Sequence, residues 1–250
     1  MKKLVNILIT FTLVVIVWQL VIWIGDYEEA LLPSPLRVGE GIVSMTLDGT
    51  LFEHMVVSLY RFFTGYGLAV VVAIVLGLIL GRSPRLWGVA DPIVQVLRPV
   101  APVAWTPFIV LWFGIGSMPA IVIIFIAAFF PVLLSTVSAV KKVDATYLKL
   151  AENLEVRQPA LMYKVILPAA FPGIANGLHL AVGTAWIFLV AGEMVGAQSG
   201  LGYLIIDARN ALDLDLVLAG IVFIGVLGLA IDKLIGLFET WVGKQWGFNR

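Results

Sequence analysis

The feature that most constrains this sequence is a set of five long stretches without a single Asp, Glu, Lys or Arg. The shortest contains 16 residues and the longest contains 42. A helix needs roughly 20 apolar residues to cross the hydrocarbon core of a bilayer. The stretches therefore predict several membrane-spanning helices. They are residues 4–25, 62–81, 99–140, 165–192 and 216–231.

The composition of the 250-residue chain excludes most soluble classes of protein. Apolar residues make up 61%, charged residues make up 13%, and the mean hydropathy is +1.04. A soluble protein of this size cannot bury so much apolar surface. The net charge is zero, which gives no basis for nucleic-acid binding, and the absence of cysteine excludes disulfides and thiol chemistry. The sequence therefore predicts an all-α integral membrane protein.

The longest stretch, 99–140, requires two helices, because residues 114–119 form a turn signal between two apolar runs. Lys2 and Lys3 before the first stretch also suggest a signal peptide, but the apolar run is too long and lacks small-residue cleavage spacing. We therefore interpret it as a retained span, and we expect the last helix to extend past Asp232. Six transmembrane helices are predicted, at about 4–24, 58–81, 89–113, 119–140, 169–194 and 215–238.

The positions of Lys and Arg predict that both termini are cytoplasmic, because inner loops are enriched in these residues. Twelve of them fall on the inner side in this orientation, and only Arg37, Arg61 and Arg209 fall on the outer side. A short interfacial helix is expected at 36–48. The chain then divides into a first helix with an outer linker, a core of five helices and a cytoplasmic tail. These parts are residues 1–57, 58–240 and 241–250.

The loop between the fourth and fifth helices, residues 141–168, is unusually polar. Eight of the 24 residues from 141 to 164 are charged. Asp144 is a suitable N-cap for a short helix. Pro159 fits the first turn of a second short helix, which we expect to end near Pro168. The first helix has one apolar face at helical spacing. This face consists of Tyr147, Leu150, Ala151 and Leu154.

Two interpretations of this amphipathic hairpin remain open from the loop alone. It either folds onto the membrane or the ends of the protein's own helices, or it docks into a groove of a soluble partner.

Seven short motifs follow one another between residues 33 and 240. They are SLYR (58–61), LRPVAP (97–102), LWFGIG (111–116), LAENL (150–154), VILPAAFPGI (165–174), AGEM (191–194) and GLGYLI (200–205). In this order they resemble the nitrate/sulfonate/taurine branch of the binding-protein-dependent permeases, which are subunits of ABC importers. LAENL and VILPAAFPGI are similar to the EAA loop of these permeases.

The resemblance implies a type I ABC importer permease-like fold in which the 141–168 loop carries a coupling helix. It implies that the coupling residues contact an ATPase. Glu155 stands where the family has a glycine, so we expect either a left-handed glutamate or a turn of different shape. The implied coupling residues are Tyr147, Leu150, Ala151, Glu152, Asn153, Leu154, Glu155 and Val156.

The resemblance also implies the partners of the chain in a bacterial inner membrane. They are a cytoplasmic ABC ATPase dimer, a substrate-binding protein on the outer face and a second permease copy in a homodimer. The chain has no phosphate-binding G-x-x-x-x-G-K-[ST] motif, so we expect the partner ATPase to bind ATP and Mg. No catalytic residue, metal ligand or cofactor is predicted in this chain.

Few ionisable groups lie in the predicted spans. Arg98 either attracts an anion or extends to the inner surface, and His179 is either a packing residue or a ligand. Glu193 either binds a backbone donor or shapes an outer gate, or it faces interfacial water. Arg98 and Glu193 lie at different depths and are not expected to pair. The third helix is a candidate pathway wall, because we expect its prolines to break it repeatedly. The predicted pathway residues are Arg98, Pro102, Trp105, Trp112, His179, Trp186 and Glu193.

The predicted function is ATP-driven import of a small solute by alternating access, with nitrate, a sulfonate or taurine as the expected substrate class. An ion-coupled secondary carrier is one alternative, although the spans are poor in the acids such carriers use. An integral membrane enzyme is another. His54 and His179, with no cysteine, provide no evident metal site or nucleophile–base set for it.

Overall fold

The computed structural model describes residues 2–25 and 31–246, with side chains from residue 9 onward. The described chain contains helices and no strand. Its α-helices are α1 (Lys2–Gly25), α2 (Pro35–Leu47), α3 (Thr50–Arg82), α4 (Pro84–Leu97), α5 (Thr106–Phe113), α6 (Ser117–Lys141), α7 (Ala145–Asn153), α8 (Leu167–Gly196), α9 (Leu201–Asn210) and α10 (Leu214–Gln245).

Helix α6 forms the centre of the bundle and packs between α3 and α8. Ile123, Ile124 and Val132 of α6 are fully buried. Lipid offers little hydrophobic drive for helix association, so close backbone approach matters. At Gly77 of α3, an added Cβ would lie 2.6 Å from Cβ of Thr136. Small residues on α3 therefore allow it to approach α6 closely enough for direct packing.

Four helices, α3, α6, α8 and α10, are long and apolar enough to cross a membrane. A fifth span results if the bent pair Pro84–Leu97 and Pro102–Phe113 is counted as one. The described side chains of α1 form a shorter apolar stretch, Ile9–Gly25. Most of its large side chains, such as Trp23 at 83% exposure, point away from the bundle. By length and composition, the structure thus contains four or five of the six predicted spans. Helix α1 is the candidate for a further span.

The predicted third helix at 89–113, which its prolines were expected to break, consists of two helices separated by a sharp bend. The chain bends by 85° between α4 and the segment that begins with a 3-10 turn at Pro102–Trp105. Ala101 is extended, with φ −58° and ψ 131°, as is usual for a residue before proline. Pro99 and Pro102 also lack the N–H groups that a continuous helix requires. The prolines therefore end one helix and redirect the next.

The prediction of a separate second short helix that ends near Pro168 is wrong. Helical structure begins at Ala160 and passes through a wide π-helical turn, Met162–Ile166, directly into α8. Pro168 lies in the first turn of α8, where a missing N–H is tolerated. The predicted extension of the last helix past Asp232 is confirmed, because α10 continues to Gln245.

The short helix expected at 36–48 is confirmed as α2, which Ser34 caps by accepting a 3.4 Å hydrogen bond from the Arg37 amide. Helix α2 packs against α10, where an added Cβ on Gly41 would lie 3.2 Å from Leu216. The predicted boundary after residue 57 falls inside α3, which begins at Thr50. Residues 31–57 are therefore continuous with the bundle.

Candidate functional site

Helix α7 lies at one end of the bundle, between the end of α6 and the turn that leads into α8. The predicted N-cap is confirmed, since Asp144 Oδ1 accepts a 2.8 Å hydrogen bond from the Thr146 amide. This hydrogen bond holds the pKa of the Asp144 carboxyl below its ordinary value. The end of the bundle that carries α7 is called the α7 end below, and the opposite end, with α9, is called the α9 end.

The apolar face of α7 is largely open to the surface. Tyr147, Leu150 and Leu154 are 56%, 55% and 68% exposed, whereas Ala151 is only 3% exposed. A cavity of about 380 Å³ lies between this face, the start of α8 and Trp246. Ala151 thus attaches α7 to the protein, and the three larger side chains remain available. The arrangement separates an anchoring residue from an exposed apolar surface.

The C-terminus of α7 ends in a left-handed glutamate, which is one of the two backbone shapes expected at position 155. Glu155 has a φ of +51°. The Val156 amide donates to the Ala151 carbonyl at 2.9 Å, and the Glu155 amide donates to the Glu152 carbonyl at 2.9 Å. This is the pattern of a helix end whose left-handed position is commonly glycine. Glu152, Asn153 and Glu155 are exposed beside Leu154.

The predicted pathway residues of the third helix lie at its break. Pro102 and Trp105 form the 3-10 turn and are half-buried, and Trp112 near the end of α5 is 69% exposed, with its ring centroid 6.2 Å from that of Phe108. Arg98 directly follows α4 and is exposed. It lines a cavity that α6 and α8 also border. The structure thus places Arg98 beside a cavity, and Trp112 on the surface.

The two pathway residues predicted in the middle of α8 have different surroundings. His179 is 48% exposed, with Nε2 3.4 Å from Asp232 Oδ1 and Nδ1 3.7 Å from Glu239 Oε2. Trp186 is 8% exposed, donates Nε1–H to the Ile224 carbonyl at 3.2 Å and packs against a neighbouring ring in the core. His179 therefore belongs to a polar cluster between α8 and α10, and Trp186 belongs to the packed interior.

Glu193 pairs with Arg61 in the interior, and this corrects one prediction. Arg61 Nη1 lies 2.8 Å from Glu193 Oε1, and the side chains are 2% and 0% exposed. The interpretation of Glu193 as an interfacial side chain facing water is wrong. Arg61, counted on the outer side from the sequence, lies near the start of α3 and is buried there. The expectation that Glu193 would not pair with Arg98 agrees with this geometry.

Neighbouring donors complete the surroundings of the Glu193 carboxylate. The Ser58 hydroxyl donates at 2.8 Å, and the Gly202 amide donates to Oε2 at 2.9 Å. A buried charge is tolerated only when it is paired and hydrogen-bonded in this way. The carboxylate therefore connects α3, α8 and the start of α9.

Arg61 extends the same network to the segment between α8 and α9. Its guanidinium donates to the Ser199 carbonyl at 2.7 Å, to the Ser199 hydroxyl at 2.8 Å and to the Ser117 hydroxyl at 3.2 Å. The Leu201 amide donates to Ser58 Oγ at 2.8 Å, and the Gly200 amide donates to His54 Nδ1 at 2.9 Å. The network fixes the 197–202 segment at the α9 end.

The sequence motifs contain the main residues of this network, but they do not reveal which residues pair with each other. The motifs SLYR, AGEM and GLGYLI carry its main members, but 132 residues separate Arg61 from Glu193. Helical periodicity relates only neighbours within a few turns. Among the described residues, no cluster of three His, Asp or Glu side chains is arranged to hold a metal ion.

Residues 70–244, more than half of the chain, match the family described as "Binding-protein-dependent transport system inner membrane component". The chain belongs to this family. It is a membrane permease component of a binding-protein-dependent transport system and not an enzyme, as predicted. The network at the α9 end and the exposed face of α7 are therefore features of a permease.

Three relatives of this permease agree with the predicted branch. SsuC of Bacillus subtilis, whose name describes an aliphatic sulfonates transport permease, is 36% identical and the match covers 90% of this chain and 82% of SsuC. The taurine transport system permease protein TauC of Escherichia coli is 35% identical, over 89% of this chain and 83% of TauC. The nitrate import permease protein NrtB of Synechocystis is 30% identical, over 96% and 90%.

A solved structure of the MetNI methionine ABC transporter in inward-facing conformations supports the fold of the permease. It aligns with a TM-score of 0.52 over 74% of this chain and 94% of that chain, at 21% identity. The predicted all-α membrane permease fold is confirmed.

Proposed function

We propose that this permease is the translocation subunit of an ATP-driven importer for a small anion. A binding protein delivers the anion at the α9 end, and a cytoplasmic ATPase dimer, which holds ATP and Mg, contacts the α7 end. The permease lies in a bacterial inner membrane with both termini cytoplasmic. It forms a two-fold pair with a second copy and releases the anion into the cytoplasm by alternating access.

The observation that carries this proposal is the exposed apolar face of α7. Tyr147, Leu150 and Leu154 are each more than half exposed, although their burial against a partner would be favourable. The spacing of these three residues matches the i, i+3, i+7 pattern by which a helix fills a groove of another protein. A soluble ATPase that receives this face would transmit its movement through Ala151 to α8.

The orientation is supported by the distribution of positive charge. With Arg61 buried in α3, the outer side retains two basic residues, Arg37 and Arg209, against twelve on the inner side. The α7 end carries the positive excess. The rule for membrane proteins places this end in the cytoplasm, where an ATPase is accessible.

The substrate class is supported by the relatives. Their names describe transport of aliphatic sulfonates, taurine and nitrate, which share a small negatively charged oxygen group. A second permease copy is supported by an unpartnered face of α8. Leu180 and Ile187 are 57% and 67% exposed there, on either side of Gly183, and small residues favour helix contacts in lipid.

The test is co-purification of the permease with the ATPase of the same transport system. Leu154→Asp places a charge on the apolar face and should abolish association, while membrane insertion remains normal. Lys149→Glu is the matched control, because it places an acidic group on another face of the same helix. Full retention of the ATPase by Leu154→Asp would refute the assignment of α7.

Transport in proteoliposomes separates the proposal from a secondary carrier. Uptake of the anion should require the binding protein and ATP on the α7 side. Uptake that follows an ion gradient and persists without the ATPase would favour the carrier instead.

A further inference from the structure

A cavity of about 520 Å³ opens between the end of α4, α6 and the first part of α8. It extends from Lys142, directly after α6 at the α7 end, to Thr184 within α8. The distance from Gly173 to Thr184 along α8 is about 17 Å at the rise of a helix. The cavity is therefore an open groove along the first part of α8, and Arg98, Ser138, Lys142 and Asn176 on its walls are exposed. Its polar lining consists of Arg98, Ser135, Ser138, Lys142, Asn176 and Thr184.

Both charged residues of this lining are cations. Within residues 31–246, neither Arg98 nor Lys142 forms an ion pair, and no Asp or Glu side chain lines the cavity. Two acids of α10, Asp232 and Glu239, lie beside His179, and Glu239 lines a neighbouring cavity that also borders Asn176. Uncompensated cations in a membrane-embedded bundle are costly unless they face water or an anion. The lining of the cavity thus carries two cations and no acid.

The neutral polar side chains of the lining add hydrogen-bond donors. In the described chain, the side chains of Ser135, Ser138 and Asn176 make no hydrogen bond with protein groups. Thr184 differs, since its hydroxyl donates to the Ala181 carbonyl at 3.1 Å. The side chains of Ser135, Ser138 and Asn176 can donate as well as accept hydrogen bonds, and beside two cations they can donate to the oxygens of an oxyanion.

We propose that this cavity is an intramembrane binding site for the transported ion, and that the ion is a small monovalent oxyanion. Arg98 and Lys142 neutralise its charge, and Ser135, Ser138 and Asn176 donate to its oxygens. The inference rests on the import function proposed above and names the place where the permease itself contacts substrate. Specificity would then be shared between the binding protein and this site.

The test is direct binding of methanesulfonate to the full-length permease in phosphatidylcholine nanodiscs, measured by saturation-transfer NMR of its methyl signal. Nitrate should compete, and choline should not. Arg98→Gln and Lys142→Gln should each weaken binding about tenfold, because a charge-assisted hydrogen bond is lost. Arg85→Gln in α4 and Lys141→Gln in α6 are matched controls, since neither residue lines the cavity.

Equal affinity of the wild type, Arg98→Gln and Lys142→Gln would overturn the site. Absence of methanesulfonate binding and of nitrate competition in the wild type would overturn it too. The assay needs no ATPase, so its result is independent of the ATPase co-purification that tests the import function. Full retention of the ATPase by Leu154→Asp, together with intact and variant-sensitive methanesulfonate binding, would reject the assignment of α7 and leave the anion site supported.

A lipid headgroup presents the same phosphate-like oxygen chemistry, and a second measurement separates the two sources. Native mass spectrometry of the permease in nanodiscs that contain phosphatidylglycerol measures how much lipid the protein retains. The wild type, Arg98→Gln and Lys142→Gln should retain the same amount of this lipid. Retention of phosphatidylglycerol that both variants abolish and that methanesulfonate does not displace would assign the cavity to lipid and overturn the solute site.

Discussion

Arg61 Nη1 lies 2.8 Å from Glu193 Oε1 in the interior of the bundle, although 132 residues separate the two in sequence. The pair joins α3 to the end of α8, and the shared hydrogen bonds to Ser199 and Gly202 hold the 197–202 segment in place. An ion pair in this position makes the α9 end of the permease one rigid unit. A binding protein at that end would therefore act on α3, α8 and α9 together.

Removal of one partner of this pair should be far more damaging than removal of both. Glu193→Met leaves the buried Arg61 charge uncompensated and should lower the free energy of unfolding by about 3–5 kcal/mol. The double variant Arg61→Met with Glu193→Met should recover much of that loss. Titration with sodium dodecyl sulfate in mixed micelles measures the free energy of unfolding.

The exposed ion pair of Arg37 and Asp215, at 3.8 Å, provides the control for this series. Both side chains are more than a third exposed, so Asp215→Asn should cost less than about 1 kcal/mol. A Glu193→Met variant as stable as Asp215→Asn would contradict the importance of the buried pair.

Gly200 should not tolerate a side chain. Its φ is +101°, and an added Cβ would overlap the Glu193 carboxylate. Gly200→Ala should therefore destabilise the protein by more than about 1 kcal/mol, and heat-induced loss of the monodisperse peak in gel filtration should occur at lower temperature. Gly225→Ala is the matched substitution in α10, where no atom lies within 4 Å. It should be neutral or slightly stabilising, and equal effects of the two changes would be inconsistent with the structure.

The N-cap of α7 should make the order of this helix depend on pH. The hydrogen bond from the Thr146 amide lowers the pKa of Asp144. The cap therefore contributes fully above the ordinary aspartate pKa, and its contribution is lost as the pH falls through the lowered pKa of the folded state. The chain contains no cysteine, so Lys149→Cys accepts a spin label at one position. The mobility of this label should rise on acidification.

Asp144→Asn keeps a capping side chain without a titrating group. The mobility of the label in this background should not change with pH over the same range. If the mobility of the label has the same pH dependence with Asp144 as with Asn at this position, the proposed role of the Asp144 carboxylate is disproved.

Glycine at position 155 should stabilise the end of α7. Glu155 occupies the left-handed region with φ +51°, which costs an L-residue about 1 kcal/mol that glycine avoids. Glu155→Gly should therefore slow amide hydrogen exchange across 145–153. Glu152→Gly lies within the same helix and should speed exchange, because glycine in a helix interior costs about 1 kcal/mol. The prediction fails if both changes speed exchange.

Features that depend on neighbours in the chain could be predicted from the sequence. The charge-free stretches indicated the spans, Asp144 indicated the start of α7, and the position of Glu155 left only two turn shapes. In each case, the deciding interactions join residues within about two helical turns. The proline-rich third helix was only partly predictable, because Pro99 and Pro102 revealed a break but not its 85° angle.

The residues that share a cavity were harder to predict from the sequence, since they come from separate helices. Arg98 was a candidate from its position in an apolar segment, whereas its association with Lys142, Ser138 and Asn176 depends on how α4, α6 and α8 meet. Trp186 was predicted for the pathway, but the packing of α3, α8 and α10 encloses it.

The sequence by itself determined that this is a helical membrane protein with an amphipathic α7, because apolar run length, charge distribution and helical periodicity are local properties of the chain. Its ordered motifs added the resemblance to the permease family. The tertiary structure alone decided that Glu193 neutralises Arg61, that α8 continues without a stop from the turn after α7, and that two cations share one cavity. The physical reason is that buried charge requires a partner at contact distance, and in a helical bundle that partner comes from whichever helix packs alongside.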